Sequence, residues 1–310
     1  MEIPVVDFGV FSLDEKNVSD EQLQQLSKEL KKAFSEVGFV FLKNTGITEE
    51  EVEQVMTISK TFFLQPDEVK HPFSRSISPA FNHGWVPLEL ESLNPKRPGD
   101  LKEAFNVASV HPDIKWPSSG DLKAFQEIQT SFFLRCKDLS LRVLRVMAIS
   151  LGLDPEVFLS AHRFIGMDKN TSTLRVLYYP AVNHNNAKED QVRCGEHSDY
   201  GSLTLLFQGS DGLQVHSRSG EFISVPTIPG AVLINIADMM QRWTSDQLIS
   251  VVHRVLLPPV GDSSTRQSLA FFVQPDDEAL ITCCDGSNKY PPIESRTYLL
   301  ERYKDTYGRE

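Results

Sequence analysis

After Pro155 the chain changes rhythm: short β-prone runs follow one another, each cut off by Gly or Pro, and this pattern limits the fold most. The runs cover 173–179, 202–207, 213–216, 221–225, 231–236, 251–257 and 267–273. Seven or eight short strands behind a helical half predict a sandwich or jelly roll, with the helices packed on its outside. The helical half is readable in its own right. Ser19 with Gln22 three positions on forms a capping-box pattern, and Leu23, Leu26, Leu30, Ala33, Phe34 and Val37 follow at three- and four-residue steps until Gly38 stops the helix. Phe39-Val40-Phe41-Leu42 then reads as a strand. Thr48 opens a second helix with Val52, Val55, Met56, Ser59 and Phe62 on one face, and 66–99 reads mostly as loop. Helical spacing over 121–151 predicts a long helix bracing a sheet, and 298–307 a last one. The opening Ile3-Pro4-Val5-Val6-Asp7-Phe8 is a strand too brief to be stable undocked. The expected fold is therefore mainly β with flanking helices. A region of helices and strands over 1–150 packs on a β core over 151–310, forming one compact unit.

Composition narrows the function. The net charge of −11 over 310 residues provides no basic footprint for nucleic acid, so none is expected as a partner. No apolar run approaches the roughly 18 residues that span a bilayer, and the first residues lack a basic region followed by an apolar core. Cys136, Cys194, Cys283 and Cys284 do not space like a zinc site, and reduced thiols in the cytoplasm are expected. Among the histidines, His71, His111, His162, His184 and His216 have no partner pattern and read as surface or structural.

The informative segment is Gly195-Glu196-His197-Ser198-Asp199-Tyr200-Gly201. On an extended segment, His197 and Asp199 point to the same face. With His253, in Val251-Val252-His253-Arg254-Val255, they make two imidazoles and one carboxylate. Such a set leaves positions open on one side and suits iron(II) that must bind a cosubstrate and O2. Each part alone has a plainer reading: an H-x-D is common in surface turns, and a histidine between valines is more often a core residue. No serine sits in a G-x-S-x-G elbow, which argues against a hydrolase triad. Arg266 and Ser268 also lie two apart and share a face with Ala270 and Phe272, toward the interior. A guanidinium turned inward needs an anion, and guanidinium plus hydroxyl suits a carboxylate.

Taken together, these residues resemble the iron(II)/2-oxoglutarate-dependent dioxygenases of the isopenicillin N synthase-like group, over nearly the whole chain. The opening strand, the 38–46 segment, Asp100-Leu101-Lys102-Glu103-Ala104-Phe105 and the order and spacing of the ligand and Arg-x-Ser residues carry the resemblance. It implies a double-stranded β-helix with Fe(2+), 2-oxoglutarate and O2 as cofactors. His197, Asp199 and His253 would be the iron ligands, and Arg266, Ser268 and Tyr179 would hold 2-oxoglutarate. It also implies oxidation of a C–H bond in a small-molecule substrate, with succinate and CO2 released. The sequence departs from the family at Thr45, Leu177 and Ala237, where histidine, asparagine and glycine are common. Phe81 to Trp85, Phe105 and Phe272 are candidates for the substrate wall, with His83 read as an exposed loop histidine. Three alternatives stay open: an iron oxidase that uses no 2-oxoglutarate, a zinc-type hydrolase, and a non-catalytic binding protein on the same fold.

Overall fold

The computed structural model describes residues 2–75, 82–108, 114–184 and 187–307, so Phe81 and His111 lie outside it. In chain order the strands are β1 (Val5–Asp7), β2 (Phe39–Lys43), β3 (Gly84–Val86), β4 (Glu103–Val107), β5 (Thr173–Tyr179), β6 (Cys194–His197) and β7 (Leu203–Gln208). They continue as β8 (Leu213–His216), β9 (Phe222–Ser224), β10 (Val232–Ile236), β11 (His253–Val255), β12 (Arg266–Val273), β13 (Leu280–Ile281) and β14 (Ile293–Glu294). The helices are α1 (Asp20–Glu36), α2 (Glu49–Phe63), α3 (Asp67–Lys70), α4 (Phe125–Ser150), α5 (Glu156–Leu159), α6 (Asp238–Trp243) and α7 (Ser295–Tyr307).

Both expected helix starts form reciprocal caps. The Ser19 hydroxyl accepts from Gln22 N while the Gln22 side chain accepts from Ser19 N, and Thr48 with Glu51 repeats the arrangement. Gly38 leaves α1 at φ +77°, a conformation that a side chain would strain.

An eight-stranded sheet, ordered β1-β2-β10-β7-β12-β5-β4-β3, faces a four-stranded one, β6-β11-β8-β9. The short opening strand β1 is docked in parallel on β2, as its length required. Period-two alternation splits the large sheet into two faces. Leu269, Phe271 and Val273 of β12, with Leu174, Val176 and Tyr178 of β5, turn toward the helices. On this side α4 presses Phe132 against Phe207 and Phe133 against Phe271, with ring centroids 5.2 and 5.0 Å apart. Each fully buried phenylalanine there contributes about 1.5–3 kcal/mol of burial. The other face packs Phe39, Phe41, Leu177, Tyr179 and Ala270 against Cys194, Leu213, Val215 and Val255 of the small sheet. A chamber opens within this second interface.

Two wall candidates fare differently from expectation. Phe105 lies on the helix side, with its ring edge-on to Phe62 and Phe125 at 5.3 and 5.1 Å, so it is core packing. His83 is not an exposed loop residue: its ring is partly buried, 4.6 Å from Trp116 and 5.4 Å from Phe105. Burial lowers its pKa to about 4. His162 is structural as expected, bonded to Phe158 O at 2.7 Å and Ser202 Oγ at 2.8 Å. The four cysteines are free thiols. Among the described residues, no helix is long and apolar enough to cross a membrane.

Gly201 tests how tightly the turn after Asp199 is built. A Cβ there would come within 2.3 Å of the Val273 carbonyl oxygen and 2.6 Å of Gln274 Oε1. Backbone on the far side cannot swing away as a side-chain tip can. Gly201→Ala is expected to destabilise the metal-free protein by about 1–3 kcal/mol, the usual effect of overpacking. A urea midpoint unchanged from wild type would mean that the turn yields.

Candidate active site

The site grows from strand pairing. His253 on β11 is the direct antiparallel partner of His197 on β6, which brings the two imidazole centroids to 4.3 Å. Nδ1 of His197 lies 2.8 Å from the Gly195 carbonyl oxygen, and Nδ1 of His253 lies 3.2 Å from that of Val251. Those carbonyls can only accept, so both protons sit on Nδ1 and the Nε2 lone pairs are bare. Burial, then the neighbouring His253, lowers the pKa of His197 to about 3, so its imidazole is neutral at ordinary pH.

Asp199 enters from the turn after β6. Its Oδ1 stands 3.7 Å from His197 Nε2 and 3.6 Å from His253 Nε2. Its Oδ2 accepts from Thr204 Oγ1 at 2.7 Å and Asn235 Nδ2 at 2.8 Å. Burial pushes the Asp199 carboxyl up, and the hydrogen bonds that its Oδ2 accepts from Asn235 and Thr204 oppose this by favouring the ionised form. One oxygen is thus fixed by hydrogen bonds while the other faces the two nitrogens. Backbone at the start of α6 secures the turn: Asp238 N donates to Asp199 O, and Met239 N to Tyr200 O and Gly201 O. Ser198 Oγ donates to Asp238 Oδ2 at 2.9 Å. On the outer side of β6, Glu196 binds Arg97 and Arg254 at 2.8 and 2.9 Å, which fastens the 94–97 loop to β6 and β11.

Ligand atoms of His197, Asp199 and His253 lie within 4.8 Å of one another, a group able to hold a metal ion. Two neutral imidazoles and one carboxylate on one side fit iron(II) with open positions. Cys194 lines the same chamber, but burial pushes its thiol up to about 12, so it offers no thiolate.

Arg266, Ser268 and Tyr179 come together at one end of the chamber. Arg266 sits opposite Tyr179 across the β12–β5 pair, and Ser268 opposite Leu177. The Arg266 guanidinium is buried, 4.9 Å from the Tyr179 ring, with Nη1 3.3 Å from Ser268 Oγ. Its remaining bonds go to Gln208 Oε1 and to the carbonyls of Ser210 and Asp211. All are neutral acceptors, which leaves the positive charge for an anion. Leu177 accordingly places a methyl-bearing wall beside Ser268, where a relative with asparagine would offer an amide.

At the other end, Asn82, Arg175, Thr173, Phe272 and Gln274 line the chamber, with Tyr200 and Tyr303. Asn82 and Phe272 were wall candidates and do line the chamber, whereas sequence reasoning missed Arg175, Thr173, Gln274, Tyr200, Tyr303 and also Thr204. A signal existed for Asn235: a polar residue at an inward position of an apolar strand must find a partner. It also missed the buried charge cluster in which Lys102 pairs with Asp100 and Glu91, and Arg175 with Glu91. Lys102 and Arg175 both reach the chamber wall.

Fold and site together define a mononuclear iron oxygenase of the jelly-roll kind. Two family models match in sequence order: the non-haem dioxygenase in morphine synthesis N-terminal region over residues 3–126, and the 2OG-Fe(II) oxygenase superfamily over 170–275. The chain is similar to a 2-oxoglutarate-dependent dioxygenase, htyE, of Aspergillus rugulosus, at 30% identity over 91% of this chain and 90% of the relative. A proline hydroxylase, buaE, of Petromyces alliaceus is 31% identical, over 91% and 90% respectively. A full-length Neurospora crassa protein, solved in complex with alpha-KG and thymine, superposes with a TM-score of 0.86 at 33% identity, covering 98% of this chain and 96% of that one. A further structure of the same Neurospora protein holds alpha-KG and 5-formyluracil. The chain belongs to the 2OG-Fe(II) oxygenase superfamily and is an iron(II)- and 2-oxoglutarate-dependent dioxygenase.

Proposed function

We propose that this dioxygenase hydroxylates a small polar metabolite in the cytoplasm, a cyclic amide of the nucleobase kind. In this reading, iron is held by Nε2 of His197, Nε2 of His253 and Oδ1 of Asp199. The observation that carries the reading is the meeting of those three atoms and the Arg266–Ser268 pair in one chamber. With iron(II), 2-oxoglutarate and O2 bound, the cofactors supply an oxidant able to take hydrogen from a C–H bond, and succinate and CO2 leave.

The chain's own residues do the positioning. Thr204 and Asn235 orient Asp199, and the carbonyls of Gly195 and Val251 orient the imidazoles. Arg266 grips the distal carboxylate, Ser268 adds a hydroxyl, and Tyr179 keeps its phenol protonated because burial raises it. Phe272 offers a flat apolar surface to the substrate, while the Asn82 amide and Arg175 guanidinium offer polar edges that suit carbonyl and ring N–H groups. The thymine bound by the Neurospora protein supports this substrate class. Adding thymine to iron(II) protein with labelled 2-oxoglutarate and O2 is expected to raise succinate release well above the rate without it, matched by a hydroxylated pyrimidine. Equal release with and without thymine, uracil and their nucleosides would reject the nucleobase class while leaving the dioxygenase intact.

A further inference from the structure

A second guanidinium stands behind the clamp end of the chamber, outside its lining. Arg193, just before β6, is only 4% exposed, and its Nη2 donates to the carbonyls of Pro180 at 3.2 Å and Ser264 at 2.7 Å. Its Nε is buried and meets no acceptor among the described residues. The Arg193 guanidinium lies 5.9 Å from the Tyr179 ring, the same ring that Arg266 approaches to 4.9 Å. One buried phenol therefore contacts two guanidiniums, each hydrogen-bonded to neutral oxygens. Asp262, the carboxylate that acts on Arg193, is exposed and weakened by solvent. Lys102, the other cation on this wall, is already matched by Asp100 and Glu91.

Two buried like charges around one ring repel, and each loses hydration that neutral carbonyls replace only in part. Burial and the Arg266 charge both lower the pKa of Arg193, which registers the same opposition. An anion bound at Arg266 offsets part of that opposition. We infer that Arg193 is a positioning residue for 2-oxoglutarate: it adds a second positive charge behind the Arg266 clamp and holds the Tyr179 ring against it. The distal carboxylate then meets the field of two guanidiniums while touching only one. This rests on the proposal that the Arg266 end receives that carboxylate. The competing role is a mechanical pin joining the end of β5 to the loop at Ser264, and the two differ in what they ask of residue 193. A pin needs a hydrogen-bond donor; an electrostatic role needs the charge.

The test compares R193Q, which keeps a donor without charge, and R193K, which keeps the charge, with R266Q as reference. Calorimetry under anaerobic conditions measures binding of 2-oxoglutarate, and of 2-oxobutyrate, which lacks the distal carboxylate, to the iron(II) protein. R193Q is expected to weaken 2-oxoglutarate binding roughly tenfold and R193K by no more than about twofold, as a charge effect of this size requires. Neither change should alter 2-oxobutyrate binding. R193M replaces R193Q if the latter does not fold. Weakening by R266Q without weakening by R193Q overturns the role of Arg193 and leaves the clamp intact. Equal losses for both ligands reduce Arg193 to a pin, and equal losses in R193Q and R193K overturn the electrostatic role, because the charge retained by lysine would then count for nothing. If R266Q binds 2-oxoglutarate as wild type does, the clamp itself fails.

Discussion

Asp199→Ala is expected to abolish iron retention and turnover while leaving the metal-free fold close to its original stability. The carboxylate supplies the only negative charge among the three proposed ligands, and its Oδ1 faces both bare Nε2 atoms at 3.6–3.7 Å. Removing it leaves two neutral imidazoles, which hold iron(II) far less tightly than a mixed nitrogen and oxygen set. A loss of more than about a hundredfold in affinity, roughly 2.7 kcal/mol or more, is expected. Iron(II) should then no longer raise the melting temperature, because that rise depends on binding to the folded state. Thr204→Val provides the graded control. It removes one of the two bonds that orient Oδ2, and supporting groups of this kind typically change affinity by about 10–100-fold. Calorimetry with iron(II) under anaerobic conditions ranks the three proteins. An Asp199→Ala protein that still binds iron as wild type does would remove Asp199 from the ligand set.

The placement of His197 with Asp199, and of Arg266 with Ser268, was legible for one reason. Both segments are extended, and a period of two puts each pair on one face whatever the rest of the fold does. The helix start at Ser19 was legible because a capping box is closed within four residues, and the structure adds a second box at Thr48. What escaped depends on contacts far apart in sequence. Phe105 and Ala104 alternate as in any strand, but β4 lies in a sheet buried on both faces, and alternation alone does not say which face holds the chamber. His83 reads as loop, yet Trp116, more than thirty residues later in the chain, closes over it. Thr204 looks like an ordinary β-prone residue until Asp199, five positions before it, turns back toward its hydroxyl. The far end of the chamber adds Arg175 and Tyr303 to the wall candidates Asn82 and Phe272, and no local pattern announces such a meeting.

Arg266→Gln is expected to raise the apparent KM for 2-oxoglutarate by one to several powers of ten, with much less effect on the prime substrate. Arg266 is 3% exposed and its guanidinium is anchored by Gln208, Ser210, Asp211 and Ser268, so its orientation is set before any ligand arrives. A preorganised, desolvated fork makes charge-assisted bonds worth roughly 1.5–3 kcal/mol each. Losing one or two of them corresponds to about one to four powers of ten at 1.4 kcal/mol per tenfold. Glutamine retains a donor but neither the charge nor the fork, and it leaves the Tyr179 ring without its nearer cation. The prime substrate is bound at the opposite end in the proposed arrangement, near Asn82 and Arg175, and shares no direct contact with residue 266. The measurement is initial-rate succinate release with each reactant varied in turn at saturating levels of the other. A rise confined to 2-oxoglutarate, with iron affinity unchanged, is the expected pattern. A rise confined to the prime substrate would mean that Arg266 grips the substrate's own anion, and the two ends of the chamber would have to be exchanged.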